Sequence, residues 1–336
     1  MIKEAIKKLV AGNDLTFDEA VQVMDEMFSG TATQSQMAAY LTALRIKGET
    51  IDEITASAQV MREKALHIKP NRDVLDIVGT GGDDTGTFNI STTAAFIIAA
   101  AGIPVAKHGN RSMSSKSGSA DCFEQLGINI NITPEKSEEV LNKAGICFMF
   151  AQGYHSSMKY VGPVRKEIGI RNIFNVLGPL TNPAGADLQV TGVYSETLVE
   201  PIAQVFSNLG VKKGYVFYGM DGMDEVTLTT TTKVCEIDNG RFNTFILNPE
   251  DYGLKLCTPE DLAGGDGKEN AEITKEILSD EIKDAKRDIV VLNAALGLCT
   301  GGKADSIQDG IKLANEIIDS GKAYAKIEEF AKASNE

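Results

Sequence analysis

The sequence predicts an α/β protein in two parts: a small all-helical N-terminal domain, then a larger α/β domain with a central, mostly parallel sheet flanked by helices. Three observations carry this. The chain has 336 residues, room for about two domains. The first 70 residues hold repeated helix-start signals and no strand pattern. From Val74 the chain runs strand, glycine loop, helix, strand, the signature of a βαβ unit.

The helix starts are Thr16-x-x-Glu19, Thr33-x-x-Gln36 and Thr50-x-x-Glu53, each a capping box ahead of an amphipathic stretch. After them apolar residues recur at helical spacing: Val21, Met24, Met27 and Phe28; Met37, Tyr40, Leu41 and Leu44; Ile54, Ala58, Met61 and Ala65. His67 is expected on the last of these helices. Lys69-Pro70-Asn71-Arg72 then breaks the pattern, because the residue before a proline is pushed out of the helical region, and a hinge is expected there. Next come the strand VLDIV, the loop GTGGDDTG, a helix over 90–101 and the strand IPVA. Right-handed parallel crossovers gather ligands beyond the carboxyl ends of the strands, so loops 79–89 and 107–119 should meet. A third strand, GYVFYG from Gly214, runs into an acidic loop over 220–225 that can reach the same rim. Helices near 196–209, 269–279, 285–298 and 305–333 should cover the sheet, Phe242 to Leu247 adds strand, and the threonines around 227–232 read as an exposed loop or strand.

Composition narrows the function. The 33 Lys+Arg against 47 Asp+Glu leave a net charge of -14, which repels nucleic acid and anionic membranes, so any phosphate chemistry must be local. The 43% hydrophobic and 24% charged fractions fit an ordinary globular chain and exclude a collagenous or disordered one. Five scattered cysteines, never spaced C-x-x-C, support neither a disulfide framework nor a zinc knuckle, and a cytoplasmic location is expected. The longest apolar stretch, Ala94 to Ala106, is interrupted by Gly102 and Pro104 and is too short to span a bilayer.

Gly79-Thr80-Gly81-Gly82-Asp83 pairs glycines that let backbone N–H groups approach an anion with a following helix whose N-terminus favours negative charge. It is neither a P-loop, since Thr87 stands where lysine is demanded, nor a dinucleotide fingerprint, which fails at Asp84. On glycine spacing alone, phosphate binding and a plain tight turn stand level. Asn89, Ser91 and Thr92 at the helix start suit either ligand binding or simple capping. Lys107 to Ser119 carries three permanent cations and a run of serines with no acid, a local reversal of charge that suits a pyrophosphate or a solvated basic loop. Asp221, Asp224 and Glu225 offer hard oxygen ligands for Mg²⁺, or an exposed acidic turn. No G-x-S-x-G, H-E-x-x-H or nucleophilic cysteine context is present.

QMAAYLTALRIKGET, GTGGDDTGTFNIST, KHGNRSMSSKSGSAD, FMFAQGYHSSMKYVGPVRKEIGIRNIFNVLGPLTNP, DGMDE, LAGGDGKENA and VVLNAALGL stand in an order that resembles the anthranilate phosphoribosyltransferase family, across nearly the whole chain. The resemblance implies a homodimer formed through a helical domain over 1–70, with 163–185 folded back onto it. It also implies an α/β domain over 73–162 and 186–336. It implies 5-phosphoribosyl 1-diphosphate held with Mg²⁺ by Gly79, Gly82, Asp83, Thr87, Asn89, Ile90, Ser91, Thr92, Lys107, His108, Gly109, Asn110, Arg111, Ser112, Met113, Ser114, Ser115 and Ser119. Ser91, Asp224 and Glu225 would contact the metal. Gly79, Asn110 and Arg165 would hold anthranilate, with His108 and His155 as walls of its access channel, and Lys107, Asp83 and Arg165 would carry catalysis. Two positions depart from the family pattern: Asp84, where glycine is usual, and Gln152, where proline is common. A pyrimidine nucleoside phosphorylase shares the implied fold, but Arg165 and KHGNR favour the anthranilate reading. A noncatalytic nucleic-acid-binding paralogue would need a basic face that the net charge disfavours.

Overall fold

The computed structural model describes residues 1–112 and 116–336. Four helices open the chain: α1 (Ile2–Val10), α2 (Phe17–Phe28), α3 (Gln34–Lys47) and α4 (Ile51–Glu63). All three expected capping boxes form: the hydroxyls of Thr16, Thr33 and Thr50 accept the backbone N–H three residues on, while Glu19, Gln36 and Glu53 reach back to the cap. Glu53 does more. Fully buried, it also accepts from Leu15 N at 2.9 Å and Lys47 Nζ at 2.8 Å, tying the helix starts together. The helix expected to carry His67 stops at Glu63 instead. Leu66 N–H and Ile68 N–H are taken by the carbonyls of Tyr154 and Pro183, so the helical ladder cannot continue, and His67 lies exposed beyond it.

The α/β part follows as β1 (Leu75–Gly79), α5 (Ile90–Ala100), β2 (Val105–Gly109), α6 (Ser119–Gln125), α7 (Pro134–Ala144) and β3 (Ile146–Phe150). Then come α8 (Ala151–Tyr154), α9 (Met158–Ile168), α10 (Phe174–Leu180), β4 (Leu188–Gly192), α11 (Val199–Asn208), β5 (Lys213–Gly219), β6 (Thr232–Asp238) and β7 (Arg241–Leu247). The chain finishes with α12 (Gly267–Leu278), α13 (Ala285–Thr300), α14 (Ile307–Asp319) and α15 (Lys322–Asn335). The stretch expected as helix over 305–333 is two helices, parted at Ser320-Gly321, where Gly321 takes φ +74. The sheet order is β3-β2-β1-β4-β5-β6-β7. The first five strands run parallel, β6 pairs antiparallel with β5, and β7 antiparallel with β6. Because β1 leads outward to β2 and β4 leads outward to β5, the order reverses between β1 and β4, the place where open α/β sheets hold ligands.

Two apolar clusters flank the sheet. One joins Leu75, Ile77 and Val105 to α5 and the C-terminal helices, with Phe96, Phe123 and Phe330 stacked edge to face. The other joins Met24, Tyr40 and Leu44 of the helical part to Val161 and Val164 of α9, Phe174 and Leu177 of α10, and Val216 and Cys235 on the opposite sheet face. Phe174 meets Phe28 edge to face at 6.0 Å. Strand alternation then sorts the site residues. On β2, Lys107 shares a side with Val105 and faces α5, while His108 points the other way, toward α10. Among the described residues no helix is long and apolar enough to cross a membrane.

Candidate active site

Four of the five parallel strands end on glycine: Gly79, Gly109, Gly192 and Gly219. At Gly79, Gly192 and Gly219 the reason is crowding by the acidic loop after β5. A Cβ on Gly79 would run into the Asp224 carboxylate, and one on Gly192 into the Asp224 backbone. This close approach brings Asp224 and Glu225 across to the glycine loop and the start of α5, as the sequence led us to expect. Asp224 Oδ2 accepts from Gly81 N at 2.6 Å, and Glu225 Oε1 accepts from Ser91 N at 3.1 Å. Asp83 lies beside them, its Oδ2 accepting from Thr85 Oγ1 at 2.6 Å and from Asp224 N at 3.4 Å. Asp221, the third acid of that loop, plays another part. It accepts from Met223 N at 3.1 Å and from the hydroxyls of Thr227 and Thr229, so it shapes the turn rather than the site. The threonine cluster is therefore not the exposed segment expected from composition: Thr227 and Thr232 are buried as the supports of this loop.

Lys107 is buried, with Nζ donating to the Ile77 carbonyl and lying 3.4 Å from Ser91 Oγ. Burial pulls its ammonium down, while Asp76, Glu225 and Asp224 push it back up. The same desolvation raises Asp76 to about 6 and Glu225 to about 7, each countered chiefly by Lys107. Asp224 is raised well above the usual carboxylate range by burial and by the charges of Asp83 and Glu225. One cation thus faces several carboxylates in a low-dielectric setting, an imbalance that a further hard cation would relieve.

The loop after β2 is less cationic than its letters suggest. Arg111 is ion-paired with Asp121 at 2.7 Å and Glu124 at 2.6 Å, and Lys107 is inside the buried cluster. Asp121 Oδ2 also accepts from Gly118 N at 2.9 Å and Ser112 N at 3.4 Å, closing the loop on the first turn of α6. Asn110 O accepts from Ala120 N at 3.3 Å and Ser119 Oγ at 3.4 Å. A Cβ on Gly109 would strike Ser119 Oγ. Met113, Ser114 and Ser115 lie outside the described residues. The two loops meet where Ser117 Oγ donates to Asn89 Oδ1 at 3.1 Å. Asn89 makes no side-chain cap on α5, and the side chains of Ile90 and Thr92 are buried, which leaves backbone N–H groups as what they can offer an anion. Thr87 forms a β-bridge with Ala263, and Gly264 N donates to the Gly86 carbonyl at 3.0 Å, bracing the glycine loop from the segment before α12.

On the other side of β2, His108 Nδ1 lies 3.2 Å from the Gly178 carbonyl and Nε2 lies 3.2 Å from His155 Nε2. The carbonyl can only accept, so His108 carries its proton on Nδ1 and His155 donates from Nε2. Burial drops His108 to about 3 and His155 to about 4, so both rings are neutral at pH 7. Arg165, on α9, stands apart: its guanidinium lies over the Phe174 ring at 5.2 Å, burial lowers its pKa, and among the described residues it has no hydrogen-bond or ion-pair partner.

Sequence reasoning missed three contributors. Asp76, fully buried, accepts from Asn182 Nδ2 at 2.7 Å and His108 N at 3.3 Å, joining β1, β2 and the chain after α10. Arg171 donates to the Gly82 carbonyl and stacks over Tyr194 at 4.7 Å, so the segment between α9 and α10 touches the glycine loop. Asn270 reaches Asn89. Of the two departures, Asp84 is exposed with φ +56, a left-handed backbone suited to the glycine usual there, and faces Arg171 at 3.9 Å. Gln152 is exposed in the single turn of α8.

A strand-switch site lined by glycines, a buried lysine and an acidic pair does not by itself name a substrate, and comparison with known proteins narrows it. The model of the glycosyl transferase family a/b domain matches residues 71–324, and that of its helical bundle domain matches residues 3–65. The anthranilate phosphoribosyltransferase of Methanobrevibacter smithii is 56% identical over 335 residues, covering 100% of both chains. The chain belongs to the anthranilate phosphoribosyltransferase family. The member from Ruminiclostridium cellulolyticum is 55% identical, with 100% of this chain and 98% of that protein covered. Among solved structures, the anthranilate phosphoribosyltransferase of Thermus thermophilus superposes with TM-score 0.94 at 42% identity over 99% of each chain. The Saccharomyces cerevisiae family member, in complex with PRPP and Mg, superposes with TM-score 0.90 at 28% identity over 99% of this chain and 98% of that one.

Proposed function

We propose that this protein transfers the 5-phosphoribosyl group of 5-phosphoribosyl 1-diphosphate to the amino nitrogen of anthranilate. Pyrophosphate leaves and N-(5-phosphoribosyl)anthranilate forms, the second step of tryptophan biosynthesis from chorismate. The observation that carries the reading is convergence: Lys107, the Asp224-Glu225 pair and the start of α5 meet at the strand switch in a family member with full-length relatives of that name.

The donor reading assigns the diphosphate to backbone N–H groups of the glycine loop, to Asn89, Ser91 and Thr92 at the helix start and to the loop after β2. Asp224, Glu225 and Ser91 fit Mg²⁺ because buried carboxylate oxygens outnumber the one lysine that faces them. When bound, the ion would offset charge on the diphosphate. Lys107 is too deep to swing, so it acts as a fixed positive charge beneath the leaving group, favouring the state in which that group carries more charge. Asp83 is placed to hold the loop over the donor through Thr85 and Asp224 N. The aromatic amine of anthranilate is neutral at pH 7 and needs no general base, which suits a site whose two histidines are neutral and paired with each other. Arg165 supplies a forked grip for the anthranilate carboxylate, with His108, His155, Gly79 and Asn110 around it.

The cell compartment that fits this chemistry is the cytoplasm, and the assembly that fits is a homodimer formed through the helical part. The domain division that goes with the reading is 1–70 with 163–185 against 73–162 with 186–336, closing about Lys69 to Asn71 over both substrates. Anthranilate fluorescence followed on mixing with donor, protein and Mg²⁺ tests the reaction. Loss of signal requiring every component, and blocked by a chelator, is expected. A steady signal with all four present rejects the reading.

A further inference from the structure

Asn270, in the second turn of α12, is 1% exposed and was given no ligand-binding role above. Its Oδ1 accepts from Gly265 N at 2.8 Å. A backbone N–H can only donate, so that atom must be the amide oxygen, and the other end of the group must be the NH₂. Asn270 Nδ2 lies 2.9 Å from the Asn89 side chain. The atom it meets there must accept, which makes it Asn89 Oδ1. Ser117 Oγ approaches the same oxygen at 3.1 Å. The orientation of the Asn89 amide is therefore set by a chain of forced assignments that begins at one backbone N–H. Its oxygen is turned inward and its Nδ2 outward. Among the described residues Asn89 Nδ2 has no hydrogen-bond partner, and the side chain is only half-buried at the start of α5.

We propose that Asn270 is a positioning residue for the donor site, holding Asn89 so that N–H donors rather than a carbonyl oxygen face the phosphate-bearing ligand. This rests on the donor reading above and adds to it how the specificity for an anion is fixed. An unrestrained asparagine amide can present either end, and the carbonyl end repels an anion. Asn270 removes that choice from a position 181 residues away in sequence. Gly265 and Gly264 serve the same arrangement, since the first supplies the anchoring N–H and the second packs against Phe88, next to Asn89.

The isosteric change Asn270→Asp tests the inference. A carboxylate at 270 still accepts from Gly265 N but now demands a donor from Asn89, turning its amide around. The KM for 5-phosphoribosyl 1-diphosphate should rise by about tenfold or more, the scale of a hydrogen bond to a charged group, while the KM for anthranilate stays within about twofold. Asn270→Ala frees the amide without adding charge and should raise the donor KM less. Both variants are then repeated in an Asn89→Ala background, with folding followed by circular dichroism and binding of Mg²⁺-pyrophosphate by calorimetry. If Asn270 acts through Asn89, neither change weakens the donor further there. Losses that multiply in the Asn89→Ala background, a donor KM that does not move, or equal rises for both substrates overturn the inference. A wild-type protein that fails to consume the donor would reject the donor reading instead, so the two failures are distinct.

Discussion

On the sheet side of the site, Asp76, Lys107, Asp224 and Glu225 sit buried together, each fixed by hydrogen bonds to backbone groups. On the α9 side, the Arg165 guanidinium lies over the face of Phe174 and, among the described residues, has no hydrogen-bond or ion-pair partner. The first wall is organised before any ligand arrives; the second keeps a desolvated cation unspent. The difference teaches where each substrate's interaction is drawn from. The network's charges are already committed to the fold, so removing one should damage stability as much as activity. The Arg165 charge is not, so removing it should damage binding more than stability.

Lys107→Met gives the largest expected effect. It removes the one ammonium whose charge faces the buried carboxylates, and leaving a buried charge uncompensated costs about 3–5 kcal/mol. Urea unfolding should show that loss in Mg²⁺-free buffer, and a stability unchanged from wild type would mean that the network is not the preorganised wall described. Arg165→Ala should behave in the opposite way. Stability moves by about 2 kcal/mol, the worth of a desolvated cation–π contact. The apparent KM for anthranilate rises by an amount equivalent to about 2–5 kcal/mol if the carboxylate pair is well desolvated. Should Arg165→Ala unfold the protein and leave that KM alone, the comparison is inverted.

The histidine pair joins the two walls, and its titration sharpens the boundary. His108 and His155 fall from the ordinary 6.5 to about 3 and about 4 because burial disfavours their charged forms. Between pH 6.5 and about 4 the unfolded chain binds protons that the folded one refuses, so this contribution to stability is present above 6.5 and is lost as pH falls. One imidazole accounts for about 2 kcal/mol between pH 7 and pH 5. In His155→Gln, where an amide can still donate to His108 Nε2, the stability difference between those two pH values should shrink by that amount. An identical difference in variant and wild type would mean that the ring is not buried as a neutral group.

How much of this was legible in the sequence follows from the range of each interaction. The capping boxes were legible because cap and partner are three residues apart, and the βαβ unit because strand, glycine loop and helix are contiguous. The acidic pair was legible as chemistry, yet its place beside Gly79 depends on β4 lying next to β1, a pairing between strands more than a hundred residues apart. Lys107 and Arg111 read as two of the three permanent cations of the loop after β2, and only the fold shows one buried among carboxylates and the other neutralised by Asp121 and Glu124. Asn270 carried no local signal, since its meaning is a hydrogen bond to Asn89. His67 misled because apolar spacing marks a helical face but not the backbone N–H groups that other segments claim.

The smallest effect concerns the support beneath the second wall. Thr33 caps α3, which packs against α9, the helix that bears Arg165. Thr33→Ala removes the oxygen that accepts from Gln36 N at 3.3 Å and should cost about 1 kcal/mol in thermal or urea unfolding. Because α3 remains buried against its neighbours, the loss should fray its first turn without moving α9, and the KM for anthranilate should stay at the wild-type value. A cap mutation that raises that KM would show the α9 wall to be as tightly coupled to its support as the sheet wall is to its own network, and the contrast between the two would then be one of charge and not of rigidity.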